Sequence, residues 1–362
     1  MKRIYLLLPM FLFVLFAQCE SAKNGALAAE PQVKNIILMI GDGMGVSHVY
    51  AGMTVNHNSL NLERAEFVGL LKTYSANDYV TDSAAGGTAI ACGKKTNNGA
   101  IGVDVDGNPI QSMLHHAAAN GLSTGIVVSC DLTHATPASF IAHQPKRSME
   151  EEIAADFLKT PFTVAIGGGR NNFEKRKDGQ NLTEQLKAND YQVAYTLDEM
   201  NAVASGKLIA LLADGHPQEY PQRGEIIPDG VTKALSLLSQ NEKGLFLMVE
   251  GSQIDWGAHD NSTSKIVNEM LDFDRAIKIA FDFADNNPGT LVVITADHET
   301  GGMSLNGGNF ESGTVDAKYT TGGHSAVMVP VFAYGTGAKE FAGIYENTDI
   351  FNKILNLYNF KK

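Results

Sequence analysis

Cysteine is scarce in this chain: three residues in 362, at Cys19, Cys92 and Cys130, with no Cys-x-x-Cys pair. That excludes a thiolate zinc knuckle and a dithiol redox motif, and leaves no disulfide framework to stand in for a core. Cations are outnumbered, 28 Lys and Arg against 40 Asp and Glu, for a net charge of −12. Nucleic acid and anionic lipid are therefore poor partners. An acidic protein that handled phosphate would need bound metal ions to reverse the local field. No G-x-S-x-G elbow is present, which removes the Ser-His-Asp hydrolases. No internal repeat or low-complexity linker is visible. The run Ile4 to Ala17, behind Lys2 and Arg3, is 14 residues long and too short to span a bilayer. It reads as an export signal. Cleavage near Ala26–Ala29 and lipidation of Cys19, which follows the apolar run directly, are the two processing routes.

The remainder is rich in apolar residues, at 44%, and in glycine, with 36. Short β-branched runs read as buried parallel strands: Asn35–Ile40, Thr124–Ser129, Gly244–Val249, Thr290–Thr295 and Val329–Ala333. Helical patterns at Ile110–Asn120, Glu151–Lys159, Asp229–Ser239 and Ser264–Ala284 alternate with them. The expected fold is α/β, a central mostly parallel sheet sandwiched between helices. Residues 1–29 are set aside as the signal. Residues 30–362 are read as one catalytic domain, with an embellishing segment near 160–225 in which no chemistry is seen. Cys92 and Cys130 sit in small, apolar surroundings that suit buried thiols, although an exported chain could pair them.

Polar residues follow the strands closely. Asp42 comes after the first strand, His134 and Thr136 after the second, Glu250 after the third, and Asp297 with His298 after the fourth. Ligands of open α/β sheets bind outside the carboxyl ends of the strands. Asp255 and His259 are four apart in IDWGAHD, so a helical turn would put both on one face. His324 lies in TTGGHSA. In VTDSAAGGTAIACG, Ser83 follows Asp82 where a helix would begin, facing free N–H groups and the positive end of the helix dipole. That environment suits a nucleophile that attacks an anion, and equally an ordinary tightly packed helix start. Nitrogen-plus-carboxylate sets favour zinc, and an oxygen-rich set with Thr136 favours magnesium.

IGDGMG, VTDSAAGGTA, HATPASFIAHQPKR, VEGSQIDWGAH, TADHETGG and GGHS occur in this order, and together the chain resembles the alkaline phosphatase family in a compact bacterial form. The likeness runs over roughly residues 33–337. It implies hydrolysis of phosphate monoesters through a phosphoserine on Ser83, with two zinc ions and one magnesium. Asp255, His259 and His324 would hold one zinc. Asp42, Asp297 and His298, joined by Ser83, would hold the other. Asp42, His134, Thr136 and Glu250 would surround the magnesium. Arg147, the last residue of AHQPKR, would clamp phosphate through its planar fork. The small residues Ala84 to Gly87 would leave room for phosphate and zinc. The resemblance also implies small phosphate monoesters as substrates, a homodimer, and a periplasmic or outer-membrane location.

The chain departs from the family's pattern in two places. At His134 the best-known enterobacterial relative has aspartate, which puts the magnesium in question. Trp256, the sole tryptophan, stands where some relatives carry a polar or basic residue that helps hold phosphate, and it could supply an N–H or a wall. Asp82 is expected to cap the helix or orient Arg147. His48, His57, His115, His116, His143 and His216 read as structural or solvated. Competing functions are a diesterase or sulfatase of the same superfamily, a phosphoglycerate mutase on the same core, and a non-catalytic phosphate- or metal-binding module.

Overall fold

A computed structural model describes residues 32–360; the segment 1–29 and Cys19 lie outside the described residues. Among the described residues, fourteen strands appear in chain order. They are β1 Asn35–Gly41, β2 Phe67–Lys72, β3 Ser123–Asp131, β4 Val164–Gly168, β5 Tyr191–Ala194, β6 Lys207–Leu211 and β7 Leu245–Gly251, then β8 Thr290–Thr295, β9 Glu299–Thr300, β10 Ser304–Asn309, β11 Thr314–Lys318, β12 His324–Ser325, β13 Val329–Gly335 and β14 Gly343–Glu346. Ten of them form one sheet in the order β14-β2-β13-β8-β1-β7-β3-β4-β6-β5. From β8 to β5 every neighbouring pair is parallel.

The reason lies in the strand sequences. NIILMIG of β1 and LFLMVEG of β7 are buried at every position, as strands covered on both faces must be. Each fully buried Ile, Leu or Phe there contributes roughly 1.5–3 kcal/mol. The helix Thr263–Asn286 covers part of this surface with Ile266, Met270, Phe273, Ile277 and Phe281, spaced three or four apart. The helix Ile226–Leu238 does the same beside β3, β4 and β7.

Three expectations shift in detail. Val329–Ala333 is a buried strand, but β13 runs antiparallel to both β8 and β2. No crossover helix separates β8 from β13; the chain loops through β9–β12 at the carboxyl end of β8 and returns from there, so it must run back. The helix expected from Ile110 begins at Met113, because the Ser112 hydroxyl accepts from the N–H of His115 and so caps it. Within the 160–225 segment, β4, β5 and β6 extend the same sheet beyond β3. Cys92 and Cys130 are free, buried thiols.

Register sets the site. Glu250 on β7 lies opposite Ile40 on β1 and Val128 on β3, and Ile40 lies opposite Thr295 on β8. Side chains two residues apart share a face. Asp42, Cys130 and Asp297, each two residues beyond these partners, thus emerge with Glu250 at one edge.

Candidate active site

Loops and three helices complete what the strand ends begin. The helix Ser83–Cys92 starts at Ser83, with Asp82 as its cap: Asp82 Oδ1 accepts from Ala85 N at 3.0 Å. Asp82 Oδ2 accepts from Gly99 N at 3.0 Å and from Arg147 Nη1 at 3.3 Å. Asp82 therefore does both jobs, fixing the helix start and orienting the guanidinium. Among the small residues after Ser83, Gly86 serves packing. A Cβ on Gly86 would lie 2.9 Å from the Asp297 carbonyl oxygen. The glycine lets the helix press against the turn that carries Asp297 and His298.

Ser83 is 2% exposed, and its Oγ lies 3.2 Å from His298 Nε2. Asp42, Asp297 and His298 are fully buried, and one donor atom from each falls within 4.8 Å of the others. His298 Nε2 stands 3.4 Å from Asp42 Oδ1 and 3.4 Å from Asp297 Oδ2. Its other nitrogen meets Thr300 Oγ1 at 3.2 Å, and that hydroxyl donates to Asp255 Oδ1 at 2.5 Å. With its proton given to Asp255, Thr300 can only accept from His298 Nδ1–H. The His298 Nε2 lone pair is thereby aimed at the carboxylates, an arrangement that a cation satisfies.

Asp255 and His259 lie on the helix Gln253–His259, on one face as their spacing predicts, with His259 Nε2 3.3 Å from Asp255 Oδ2. His324 is delivered by the short β9–β12 ladder, paired with Thr300, and its ring stacks on His298 with centroids 3.6 Å apart. His259 Nε2 and His324 Nε2 face each other at 3.2 Å. Their Nδ1 atoms are committed to carbonyls, His259 to Gly322 at 2.8 Å and His324 to Thr81 at 2.9 Å. The Nε2 atoms of both rings therefore converge with Asp255 on one point, and the three donors lie within 4.8 Å of one another. Gly43, at φ +70, permits this closeness, since a Cβ there would lie 2.9 Å from Asp255.

The third group includes a neighbour that the sequence reading did not count. Glu250 is fully buried, and His134 caps the helix Ala135–Ile141 on which Thr136 sits. The donor that joins His134 and Glu250 within 4.8 Å is Cys130, which sequence reasoning set aside as a packed thiol. His134 Nε2 lies 3.1 Å from Arg147 Nη2. The Trp256 ring packs edge-on against His134, with centroids 6.0 Å apart, and against His216 at 4.8 Å. It forms a wall. His216, expected to be structural, comes from the 160–225 segment, and its Nδ1 accepts from Asp131 N at 3.1 Å. Thr300 was also missed, although it lies within the TADHETGG motif.

The electrostatics read as a shortage of positive charge. Both oxygens of Asp42, Oδ2 of Asp297, Oε1 of Glu250, Oγ1 of Thr136 and Nδ1 of His134 are buried without a hydrogen-bond partner. Burial, then the charges of Asp297, Asp255 and Glu250, push the Asp42 carboxyl well above its usual range. Burial raises Glu250 to about 8, and burial with Asp255 raises Asp297 to about 6. Burial lowers His298 to about 4, and burial with Arg147 lowers His134 to about 3. The hydrogen bond to Asp255 raises His259 to about 9. Asp42, Glu250 and Asp297, acids that resist charging, thus stand with the neutral imidazoles of His134 and His298, a combination that divalent cations stabilise, while Asp255 is held low beside a charged His259. A cleft of about 230 Å³ opens beside Arg147, lined by His134, Thr133, Ser148 and His216 among others. A cavity of about 460 Å³ lies at the other edge of the sheet, near Lys34, Leu122 and Lys243, and contains no such donors.

The family model described as alkaline phosphatase matches residues 33–318. The chain belongs to the alkaline phosphatase family. Alkaline phosphatase 4 of Bacillus subtilis (strain 168) is 33% identical, over 95% of this chain and 93% of its own length. The alkaline phosphatase of Escherichia coli (strain K12) is 30% identical, over 91% and 87%. The solved alkaline phosphatase of the Antarctic bacterium TAB5 superposes with a TM-score of 0.87 at 41% identity, covering 91% of this chain and 99% of that one. A variant of that enzyme with aspartate in place of a histidine holds magnesium in its M3 site. This phosphatase is thus a metal-dependent hydrolase of phosphate monoesters. Among the described residues, no helix is long and apolar enough to cross a membrane.

Proposed function

We propose that this alkaline phosphatase works through a phosphoserine on Ser83. The observation that carries the reading is the placement of Ser83 Oγ, 3.2 Å from His298 Nε2 at a capped helix start, with Arg147 tied to the same cap. Asp255, His259 and His324 suit one zinc, and Asp42, Asp297 and His298 with Ser83 suit a second, since each set mixes imidazole with carboxylate. Glu250, His134, Thr136 and Asp42 would hold a third divalent ion, for which the resemblance implies magnesium. When bound, these cations offset the charge of the phosphate dianion and lower the pKa of the serine hydroxyl.

The chain's own groups then act in order. Arg147 donates from its fork to two phosphate oxygens, held in place by Asp82. Ser83 Oγ gives up its proton to solvent and attacks phosphorus; the ester P–O bond breaks, and its electron pair leaves with the alcohol oxygen, which takes up a proton from solvent. Water cleaves the phosphoseryl bond and returns the Ser83 hydroxyl. The buried floor of Asp42, Asp297 and His298 keeps bulk water away from the reacting oxygen, while exposed His259 marks the mouth. Residues 30–362 are read as the single catalytic domain, supported by the common sheet. Lys2 and Arg3 before the apolar run support export to the periplasm or outer membrane, with Cys19 as an alternative anchor. Small monoester substrates and homodimeric assembly follow from the family resemblance.

The test is elemental analysis paired with rates on a monoester, a diester and a sulfate ester, before and after chelation. The monoester should be hydrolysed fastest, and only with metal present. Equal turnover after chelation would sink the reading.

A further inference from the structure

The family resemblance accounts for Glu250 and His134 at the third group of donors, but not for Cys130. Its thiol is fully buried, at the end of β3, on the same face as Glu250 by register. Cys130 Sγ lies 3.5 Å from Glu250 Oε2 and 3.2 Å from the Asp131 carbonyl oxygen. The other Glu250 oxygen, Oε1, and His134 Nδ1 are buried with no partner. One donor atom each from Cys130, His134 and Glu250 falls within 4.8 Å of the others.

The oxygens of Asp42 and Thr136 stand beside this group, but a sulfur and an imidazole nitrogen among them set it apart from the all-oxygen sets that magnesium favours. Magnesium takes near-octahedral oxygen ligands and holds much of its water. A sulfur, an imidazole nitrogen and a carboxylate oxygen make a soft-to-borderline set, of the kind zinc selects. We propose that Cys130 is a ligand of the third metal site, and that it makes this site bind zinc in preference to magnesium. The inference rests on the reading that the third group holds a cation. On binding, the Cys130 S–H bond breaks, its electron pair forms the sulfur–metal bond, and the proton leaves to solvent. Nothing is oxidised or reduced.

The full chain, stripped of metal and reloaded with zinc in the presence of excess magnesium, provides the test. The parent should retain three zinc ions, and Cys130→Ser two zinc ions and a magnesium. Zinc affinity at one site should fall by more than about tenfold, the least that loss even of an outer partner of a ligand costs. Reloading with cobalt should give a sulfur-to-cobalt charge-transfer band in the parent and in Cys92→Ser, and none in Cys130→Ser. Zinc-edge X-ray absorption on the parent alone needs no variant, and should show a sulfur neighbour at about 2.3 Å. Bound metal with no sulfur neighbour overturns the role of Cys130 and leaves the two-zinc reading intact. A chain that binds no cation at all overturns both. Identical metal counts in the parent and Cys130→Ser also overturn the proposal.

Discussion

Among the described residues, the buried charges around Arg223 and those at the carboxyl ends of β1, β7 and β8 behave oppositely. Arg223 is sealed against Glu269 and Asp272, with Nη1 and Nη2 each 2.7 Å from a Glu269 oxygen. Asp272 meets Arg223 through one oxygen and Arg275 through the other. Every carboxylate oxygen there has a donor from the chain. At the carboxyl ends of β1, β7 and β8 the acids are just as buried, yet Asp42, Asp297 and Glu250 keep four oxygens without a partner. Leaving a buried charge unpaired costs several kcal/mol unless something compensates it. A cluster that closes on itself is architecture. One that stays open asks for a cation.

The largest expected effect separates chemistry from architecture. Ser83→Ala should lower kcat by at least about a thousandfold, the scale of losing a nucleophile, with bound metal and melting temperature unchanged; retained turnover would break the assignment. Next, the two clusters should respond with opposite signs. Arg223→Ala should cost about 3–5 kcal/mol in a denaturant melt by stranding Glu269 and Asp272, and leave metal content alone. Asp42→Asn should abolish activity yet make the metal-free protein more stable than its metal-free parent. A destabilised metal-free Asp42→Asn would show that the open cluster is structural after all.

The pH response sharpens the comparison further. His259 is raised to about 9, so in the metal-free protein its contribution is complete below about 6.5 and is lost as pH rises through 9. Glu250 and Asp297, raised to about 8 and about 6, also favour the protonated folded state. His298 and His134, lowered to about 4 and about 3, act with the opposite sign up to about pH 6.5, so melts of chelated protein should show stability falling from about pH 6.5 to 9, while zinc affinity rises over that range. A chelated protein that gains stability from pH 6 to 9 would refute the shortage of positive charge. The smallest change is expected for Trp256→Phe, which keeps the wall against His134 and should alter kcat/KM by no more than a few-fold in steady-state kinetics.

Much of the fold was legible because its cause is local. The continuous apolar runs of β1, β3, β7 and β8 can be buried only between two layers of helices. The spacing of Asp255 and His259 is that of a helix face, and the Asp82–Ser83 pair is that of a helix start. The direction of β13 was not legible, since it depends on the path of the intervening loop. Cys130 escaped notice because a buried thiol and a ligand thiol look alike in sequence. Thr300 escaped because its role, fixing which nitrogen of His298 is bare, exists only between side chains that have already met.

The sequence by itself determined the donor types, their positions at strand ends and helix starts, and the family they belong to, because each rests on a pattern a few residues wide. Only the tertiary structure decided which donors stand within 4.8 Å of one another. Ser83 and His298 are separated by 215 residues, and Cys130 and Glu250 by 120. Their meeting is set by strand order and register, which no local pattern specifies. The unpartnered oxygens, and with them the demand for cations, arise only when burial removes the water that would otherwise have satisfied them.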